Sequence, residues 1–364
     1  MTGARLAAPL ATLQLGGSEL EVGLLLALFS AASVVLALPA GRFVDRHGIG
    51  LTMRGAAALS LAGTLAVVVW PTLPMLAAAA LCSGSAVTLG LVCIQRYAGR
   101  AAQTAHERKL AFSWLAVGPA VSSFVGPFFT GLMLDHLGLR GAFAVLSLLN
   151  LAPMLLIARV PELPAAPPPP AQARTRMLDL LAAPGVKRLF FVNWLLSMAW
   201  DTHTFVVPVL GHDRGMSASL IGAVAGAFAL AAIGVRIALP FFAARVSERQ
   251  VLVGAMITTA VVYALYPFAP APWAMMVLSF ALGTALGCVQ PMVMSALHRL
   301  TPEHRHGEAL GLRLTVLNLS SATMPLLFGA LGAAAGVAAV FWLMAATVGA
   351  GQFSARSLRF DEGL

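Results

Sequence analysis

The sequence predicts an all-α protein that crosses a membrane many times, on the basis of its composition, its long apolar segments and an internal repeat. Of its 364 residues, 59% are hydrophobic and 10% are charged, whereas a typical soluble domain has about 25% charged residues. So few charges cannot cover a water-facing surface, and most of the surface must therefore face lipid. This composition excludes an ordinary soluble protein.

Eleven segments are long and apolar enough to span the bilayer. A helix needs about 20 mostly apolar residues to cross about 30 Å of hydrocarbon, whereas a β-barrel would show alternating segments of about ten residues. The predicted spans are Val22–Ala40, Leu51–Trp70, Leu73–Ile94, Leu110–Leu134, Gly141–Val160, Leu189–Leu210, Leu220–Phe242, Val251–Phe268, Ala271–Leu297, Ala309–Leu331 and Val337–Phe353. The membrane part is therefore predicted to be helical.

The net charge of +9 is explained by membrane topology. If consecutive spans alternate in direction, one set of loops and the C-terminal tail hold eighteen of the 23 Lys and Arg, and the opposite loops hold only Arg140 and Arg214. Cytoplasmic loops carry this excess, and the basic clusters lack the interleaved aromatic residues of a base-stacking surface. Arginine also far outnumbers lysine, which favours a GC-rich bacterial genome. We predict a multi-pass protein of the bacterial inner membrane with a cytoplasmic C-terminus and no nucleic-acid partner.

A proline-rich stretch divides the chain. Six prolines fall within Pro161–Pro170, a density that favours solvated polyproline II and ends the preceding helix. Since it separates five predicted spans from six, we interpret residues 161–187 as a cytoplasmic linker. It would join a first membrane half at residues 1–160 to a second at residues 188–356, and a cytoplasmic tail would follow at residues 357–364.

The two halves also repeat each other in sequence. Gly16–Gly23 parallels Gly215–Gly222 at an offset of 199, and four further matches follow in the same order at offsets of 197 to 201. Such a constant offset indicates a duplicated half. The counterpart of Leu189–Leu210 would then begin before residue 1, so residues 4–15 are predicted to be the last turns of a truncated first helix. The alternative is a protein of eleven helices.

Residues Gly41 to Gly48 read G-R-F-V-D-R-H-G at the end of a predicted span. Two six-helix halves, a cytoplasmic linker and this sequence between the second and third helices resemble the major facilitator superfamily and its signature loop. The resemblance implies a latch between the halves, in which Asp45 accepts hydrogen bonds from the N-terminus of the helix Ala309–Leu331. A basic turn without that role is the alternative, above all for Arg42. The predicted latch residues are Gly41, Arg42, Asp45, Arg46 and Gly48.

A second element, within Leu110–Leu134, is similar to the glycine and proline motif of proton-coupled antiporters in that family. Its residues are Gly118, Gly126, Pro127 and Gly131. One glycine of the family motif is replaced by Thr130 here. Because small residues let helices approach closely and proline can kink a helix, packing alone explains the element equally well. The resemblance is therefore specific for the fold and only suggests antiport.

Asp201 is the only acidic residue deep inside a predicted span. An ionisable residue at that depth costs about 2.5–3.5 kcal/mol on insertion scales, which makes it a functional candidate. One arc of its helix carries polar or aromatic residues that should line a cavity: Asn193, Ser197, Trp200, Asp201 and Thr204. Since desolvation favours the neutral form of a carboxyl group, we predict that Asp201 binds a proton or a cationic substrate. A structural hydrogen bond or ion pair is the alternative.

Other polar residues within or near the spans are weaker candidates. Gln290 and Asn318, with Ser321, are possible cavity residues, whereas Arg236 and Arg313 lie close enough to helix ends for snorkelling to the membrane interface. The histidines His298, His304 and His306 fall in a predicted solvated loop among charged residues, so no metal site is predicted.

The sequence thus predicts a secondary transporter of a small molecule that works by alternating access. It contains no G-x-x-x-x-G-K-[ST] motif, which argues against direct driving by ATP, and no clustered catalytic set that would suggest an enzyme. Proton-coupled efflux is the first expectation, and proton-coupled uptake or a transport-inactive scaffold or receptor are the alternatives. The expected partners are the substrate, protons and the lipid bilayer, for a monomer that needs no cofactor.

Overall fold

The computed structural model describes residues 2–101, 105–157, 184–242, 246–301 and 306–358. Within these ranges the regular elements are eleven α-helices and one short 3-10 helix, Tyr266–Phe268. The α-helices are α1 (Thr2–Gln14), α2 (Glu19–Val69), α3 (Leu73–Ala101), α4 (Ala105–Ile157), α5 (Pro184–Asp213), α6 (Ala218–Phe242), α7 (Glu248–Leu265), α8 (Pro272–Gly287), α9 (Val289–Leu300), α10 (His306–Ala335) and α11 (Val337–Arg356). Most of the predicted linker lies outside the described residues.

Nine stretches of the described residues are long and apolar enough to cross a membrane. They account for ten of the eleven predicted spans, because the stretch Val121–Ile157 covers two of them. The span that does not qualify is the one in α5, whose polar residues lower its mean hydropathy. The prediction of an all-α, multi-pass membrane protein is confirmed.

Two helices are much longer than predicted, because a single glycine provides the turn between two spans. In α2 only Gly48 leaves helical geometry, with φ of 80°, and in α4 only Gly138 does so, with φ of 65°. Glycine adopts positive φ without the steric cost that a Cβ would add. The predicted end of the span Val22–Ala40 is therefore not the end of the helix, because α2 continues past Ala40 and turns at Gly48.

The chain forms two compact units. Unit 1 contains residues 1–171 and 211–223, and unit 2 contains residues 172–210 and 224–364. In unit 1, α2 packs along α3 and α4, while α1 packs against α4. In unit 2, α7 packs against α11 and α8. Residues 211–223, which include the turn between α5 and α6, belong to unit 1.

Helix α1 occupies the residues that the repeat assigned to the last turns of a helix, and most of its side chains are buried. It approaches α4 closely at Gly126 of the antiporter-like element. A Cβ on Gly126 would lie 3.0 Å from the backbone nitrogen of Gly3, so only glycine fits without a shift. The hydroxyl of Thr2 donates to the carbonyl of Ser122 at 2.7 Å and ties the same two helices together.

The same element also brings α4 against the first turn of α6. A Cβ on Gly131 would lie 2.8 Å from the carbonyl carbon of Ala218, and Gly222 approaches the carbonyl of Pro127 in the same way. Gly118 differs, since no described atom lies within 4 Å of a Cβ built there. Three of the four element residues therefore lie at close helix crossings, which is the packing role that the sequence left open.

Asp135 of α4 caps the beginning of α6. Its two carboxylate oxygens accept hydrogen bonds from the backbone nitrogens of Ala218 at 2.8 Å and Ser219 at 2.7 Å. These are N–H groups of the first turn of α6, which have no acceptor within their own helix. The contact explains why residues 211–223 group with unit 1 and not with the helices that follow them.

Removing this cap should loosen the first turn of α6. We expect Asp135→Ala to speed amide hydrogen exchange at Ala218 and Ser219 by about fivefold, since an N-cap contributes about 1 kcal/mol. Asp135→Asn keeps one acceptor oxygen and should have a smaller effect. The exposed neighbour His136→Ala is the matched control. Equal exchange in the Asp135→Ala and His136→Ala variants would contradict the capping role.

Candidate binding cavity

A cavity of about 270 Å³ lies within unit 2, on the polar side of α5. Helix α5 contributes the largest set of lining residues, and α6, α8, α9 and α10 complete the wall. The lining residues are Asn193, Leu196, Ser197, Trp200, Asp201, Arg236, Leu286, Val289, Gln290, Arg313, Leu314, Leu317 and Ser321. The α5 residues follow helical spacing, which is why one face of that helix reaches the cavity.

Most of the residues that the sequence proposed for a cavity do line it. The structure brings together Asn193, Ser197, Trp200, Asp201 and Gln290, together with Ser321. Two other candidates lie elsewhere. The hydroxyl of Thr204 donates to the carbonyl of Trp200 one turn earlier, at 3.3 Å, and Asn318 is half-buried on α10 outside the lining.

Asp201 is 8% exposed and lies where α5 faces α10. Its Oδ2 accepts a hydrogen bond of 2.8 Å from the hydroxyl of Ser321. A serine hydroxyl can donate to a carboxylate and can also accept from a carboxylic acid. The pair therefore allows both protonation states of Asp201 to keep a hydrogen-bond partner.

Arg236 and Arg313 line the same cavity as Asp201. The expectation that they snorkel to the membrane interface is wrong, because Arg313 is 6% exposed and both side chains turn toward the interior of unit 2. A charged side chain in a membrane helix is expensive and is normally found facing a bundle interior or a cavity. Sequence reasoning missed these two residues, and its only signal was that each charge lies inside an apolar span.

The position of Arg236 is explained by a break in the helix opposite. The predicted span Ala271–Leu297 is divided at Cys288 into α8 and α9. Pro291 has no backbone N–H, so the carbonyl of Gly287 loses the donor that would normally lie four residues later. Arg236 supplies a donor instead, because its Nε lies 3.2 Å from that carbonyl oxygen. This hydrogen bond holds the guanidinium at the cavity wall.

The aromatic ring of Trp200 provides a second support for Arg236. The guanidinium carbon lies 5.9 Å from the ring centroid, a distance at which the negative face of an indole attracts a cation. Phe228 holds the indole from another side, with ring centroids 4.6 Å apart in an edge-to-face arrangement. Arg236 is therefore fixed by one hydrogen bond and one ring contact.

Arg313 is held more loosely. One of its terminal nitrogens lies 3.5 Å from Oδ1 of Asn193, which is at the outer limit of a hydrogen bond. Among the described residues, Nε of Arg313 and Nδ2 of Asn193 are buried without an acceptor. Buried polar groups in proteins are almost always hydrogen-bonded, so these two donors are unusual.

His203 lies on another face of α5 and belongs to a buried network. Its Nε2 is 2.9 Å from the hydroxyl of Ser279, which is 2.7 Å from the hydroxyl of Tyr266. The ring of His203 also stacks on Phe228, with centroids 4.2 Å apart. The network packs α5 against α8 and supports the cavity wall without lining it.

Removing the centre of this network should destabilise unit 2. We expect Ser279→Ala to lower the free energy of unfolding by about 1–3 kcal/mol, because two buried polar groups lose their shared partner. Thermal unfolding of the detergent-solubilised protein measures the change. The control is Thr284→Ala, an exposed residue of the same helix whose hydroxyl bonds the carbonyl of Phe280. Equal melting temperatures for the two variants would contradict this account.

Other predicted site residues are not described in atomic detail. The side chains of Arg42, Asp45 and Arg46 and the surroundings of Gly41 lie outside the described part of the structure, so the latch stays a prediction. Gly48 lies at the turn of α2. Among the described residues, no group of three or more His, Cys, Asp or Glu side chains could hold a metal ion. The side chains of His298, His304 and His306, which were predicted to lie in a solvated loop, are outside the described part of the structure.

Comparisons with known proteins place the chain in a family. Its sequence matches the family model of the Major Facilitator Superfamily over residues 1–186 and 189–359. The multidrug resistance protein MdtG of Salmonella dublin is 26% identical over 250 residues, which are 67% of this chain and 62% of that protein. MdtG of Salmonella paratyphi B is 24% identical over the same shares. The match thus spans less than two thirds of the length of these curated relatives.

Solved structures show the same fold. A mutant of the nucleoside transporter NupG aligns with a TM-score of 0.80 at 14% identity, covering 98% of this chain and 95% of that one. A POT family transporter in complex with 5-aminolevulinic acid aligns with a TM-score of 0.75 at 12% identity, covering 97% and 93%. At such low identity the likeness concerns the fold alone. With the family match across both units, the chain belongs to the major facilitator superfamily.

Proposed function

We propose that the protein is a secondary transporter that exports a small molecule in exchange for protons, with Asp201 as the proton-binding residue. The observation that carries the proposal is the placement of this carboxylate, 8% exposed and at the wall of a polar cavity. Such residues in membrane helices are typical of proton relays and substrate pathways.

The hydrogen bond from Ser321 supports a cycle of protonation and deprotonation. The hydroxyl donates to Oδ2 at 2.8 Å when Asp201 is charged, and it can accept a hydrogen bond from the carboxyl O–H when Asp201 is neutral. Neither state leaves the carboxyl group without a partner.

Two features favour export over import. The relatives of similar sequence are named multidrug resistance proteins, and the element at Gly126, Pro127 and Gly131 resembles that of proton-coupled antiporters. In this chain the element lies at the crossings of α4 with α1 and α6. Its contribution to antiport would be structural, since it permits close contact between helices that must move during transport.

Inverted membrane vesicles test the proposal. Vesicles from cells that overproduce the protein, with their interior made acidic, should accumulate at least one compound from a panel of fluorescein, ethidium and 1-naphthaleneacetate. Nigericin, which collapses the pH gradient, should release the compound. Accumulation in right-side-out vesicles instead would indicate proton-coupled uptake. No gradient-dependent movement of any panel compound in either orientation would contradict the proposed function and favour a scaffold or receptor.

A further inference from the structure

We propose that the cavity takes a small organic anion, in which a carboxylate, phosphate or sulfonate group is held by the guanidiniums of Arg236 and Arg313. The inference rests on the proposed transport function and names the chemical class of its substrate. It also decides between two roles for Asp201, since a proton, and not a cationic substrate, is then its ligand.

The balance of charge at the cavity wall favours an anion. Among the described residues that line the cavity, the charged ones are Arg236, Arg313 and Asp201, so this part of the wall carries a net positive charge in either protonation state of Asp201. Charge interactions are stronger in the low dielectric of a membrane protein interior than in water. A cationic substrate would meet net repulsion here, and such repulsion is an effective means of rejecting the wrong ligand.

Donors that lack an acceptor also point to an anion. Arg313 is 6% exposed and Asn193 is 1% exposed, and both line the cavity. Within the described part of the chain, Nε of Arg313 and Nδ2 of Asn193 have no hydrogen-bond partner. An oxyanion brings several acceptor lone pairs, and its hydrogen bonds to a guanidinium are short and strong.

Within the described part of the chain, Arg236 is held in place by a hydrogen bond from one of its donors. A guanidinium has five N–H groups, and the bond from Nε to the carbonyl of Gly287 uses one of them. This bond and the indole of Trp200 fix the orientation of the planar group. A pre-oriented guanidinium binds a planar or tetrahedral oxyanion in a bidentate manner, which a lysine ammonium cannot do.

The rest of the cavity wall determines the size and the polarity of the part of the ligand that carries no charge. The cavity volume of about 270 Å³ lies just below the range for ligand pockets, about 300–1,000 Å³. Besides the polar residues, the lining is aliphatic and aromatic. These apolar lining residues are Leu196, Trp200, Leu286, Val289, Leu314 and Leu317. The structure assigns to this site an anion with a compact apolar body of one or two rings.

A series of probes with one body and different head groups tests the inference in the unmodified protein. Calorimetric titration of the full chain in lipid nanodiscs would compare 1-naphthaleneacetate and 1-naphthyl phosphate with 1-naphthaleneacetamide and 2-(1-naphthyl)ethylamine. We expect the oxyanions to bind about 10- to 100-fold more tightly than the amide, the range of one charge-assisted hydrogen bond. Binding of the amine as tightly as the carboxylate, or of neither oxyanion, would overturn the inference.

Variants of the two arginines then locate the site. Arg313→Gln and Arg236→Gln should each weaken oxyanion binding by about 10- to 100-fold and leave amide binding unchanged, and the lysine variants should recover part of the loss. Arg249→Gln, at an exposed position of α7, is the matched control. Equal affinity in the control and both glutamine variants would place the anion elsewhere. A variant that elutes as aggregate is replaced by its lysine counterpart, so a comparison is always available.

The test separates this inference from the proposed function. Titration needs no gradient and no transport, so tight oxyanion binding without proton-driven flux would contradict the proposed function alone. Proton-driven flux of the amine without oxyanion binding would contradict the anion inference alone.

Discussion

Replacing Asp201 with asparagine is expected to abolish accumulation driven by a pH gradient while exchange of labelled for unlabelled compound continues. Asparagine has nearly the same shape and its amide oxygen can still accept from Ser321, which donates to Asp201 at 2.8 Å. It cannot bind and release a proton in the accessible pH range. The cavity would therefore still bind and carry the compound, but the proton gradient would no longer drive it.

Accumulation in inverted vesicles measures the first effect and counterflow in proteoliposomes measures the second. Asp201→Glu should keep part of the coupling, because it retains a titratable carboxyl group. The matched control is Asp213→Asn, an exposed acidic residue at the end of the same helix. Full gradient-driven accumulation by Asp201→Asn would show that the coupling proton binds elsewhere.

The second large effect is expected at Gly131, where a single methyl group should disturb the crossing of α4 and α6. The added Cβ of Gly131→Ala would lie 2.8 Å from the carbonyl carbon of Ala218 and 3.0 Å from Cα of Ser219. Backbone atoms cannot move aside as the end of a flexible side chain can. Overpacking of this kind costs about 1–3 kcal/mol, and it would also strain the cap that Asp135 provides.

Gly118→Ala in the same helix is the matched control, because no described atom lies within 4 Å of a Cβ at that position. Alanine is more favourable than glycine in a helix by about 1 kcal/mol, so this variant should be at least as stable as the parent. Thermal unfolding in detergent compares the two. A Gly131→Ala protein as stable as Gly118→Ala would show that the crossing is looser than the structure indicates.

The polar stripe of α5 could be predicted from sequence because it depends on one helix. Asn193, Ser197, Trp200 and Asp201 share a face through the helical repeat alone, and the structure places all four at the cavity. Ser321 became a partner of Asp201 only through the packing of α10 on α5. The spacing along α5 therefore predicted Asp201 as a cavity residue, whereas the contact of Asp201 with Ser321 is seen only in the folded structure.

The position of Arg236 shows why the other charged residues of the cavity could not be predicted from sequence. Its position depends on the carbonyl of Gly287, which needs a donor because Pro291 has none to offer. That relation joins residues more than fifty positions apart in sequence, and no local pattern reveals it. From the sequence alone, a charge near a helix end was more simply explained by snorkelling.

The turns between spans show the same difference between features that local sequence predicts and features that depend on the folded structure. The length of the apolar segments located the spans, but it could not show that α2 continues through residues 41–47 and turns only at Gly48, where φ is 80°. Likewise, residues 211–223 join unit 1 through the cap from Asp135, a contact between distant segments.

Direct measurement of proton movement tests whether the compound leaves in exchange for protons bound at Asp201. Proteoliposomes that contain a pH-sensitive dye would be loaded with a compound identified in the vesicle assay and then diluted into medium without it. We predict that efflux of the compound acidifies the lumen, and that the Asp201→Asn protein produces no such change. Compound efflux without proton movement in the unmodified protein, or equal acidification in the variant, would contradict the account.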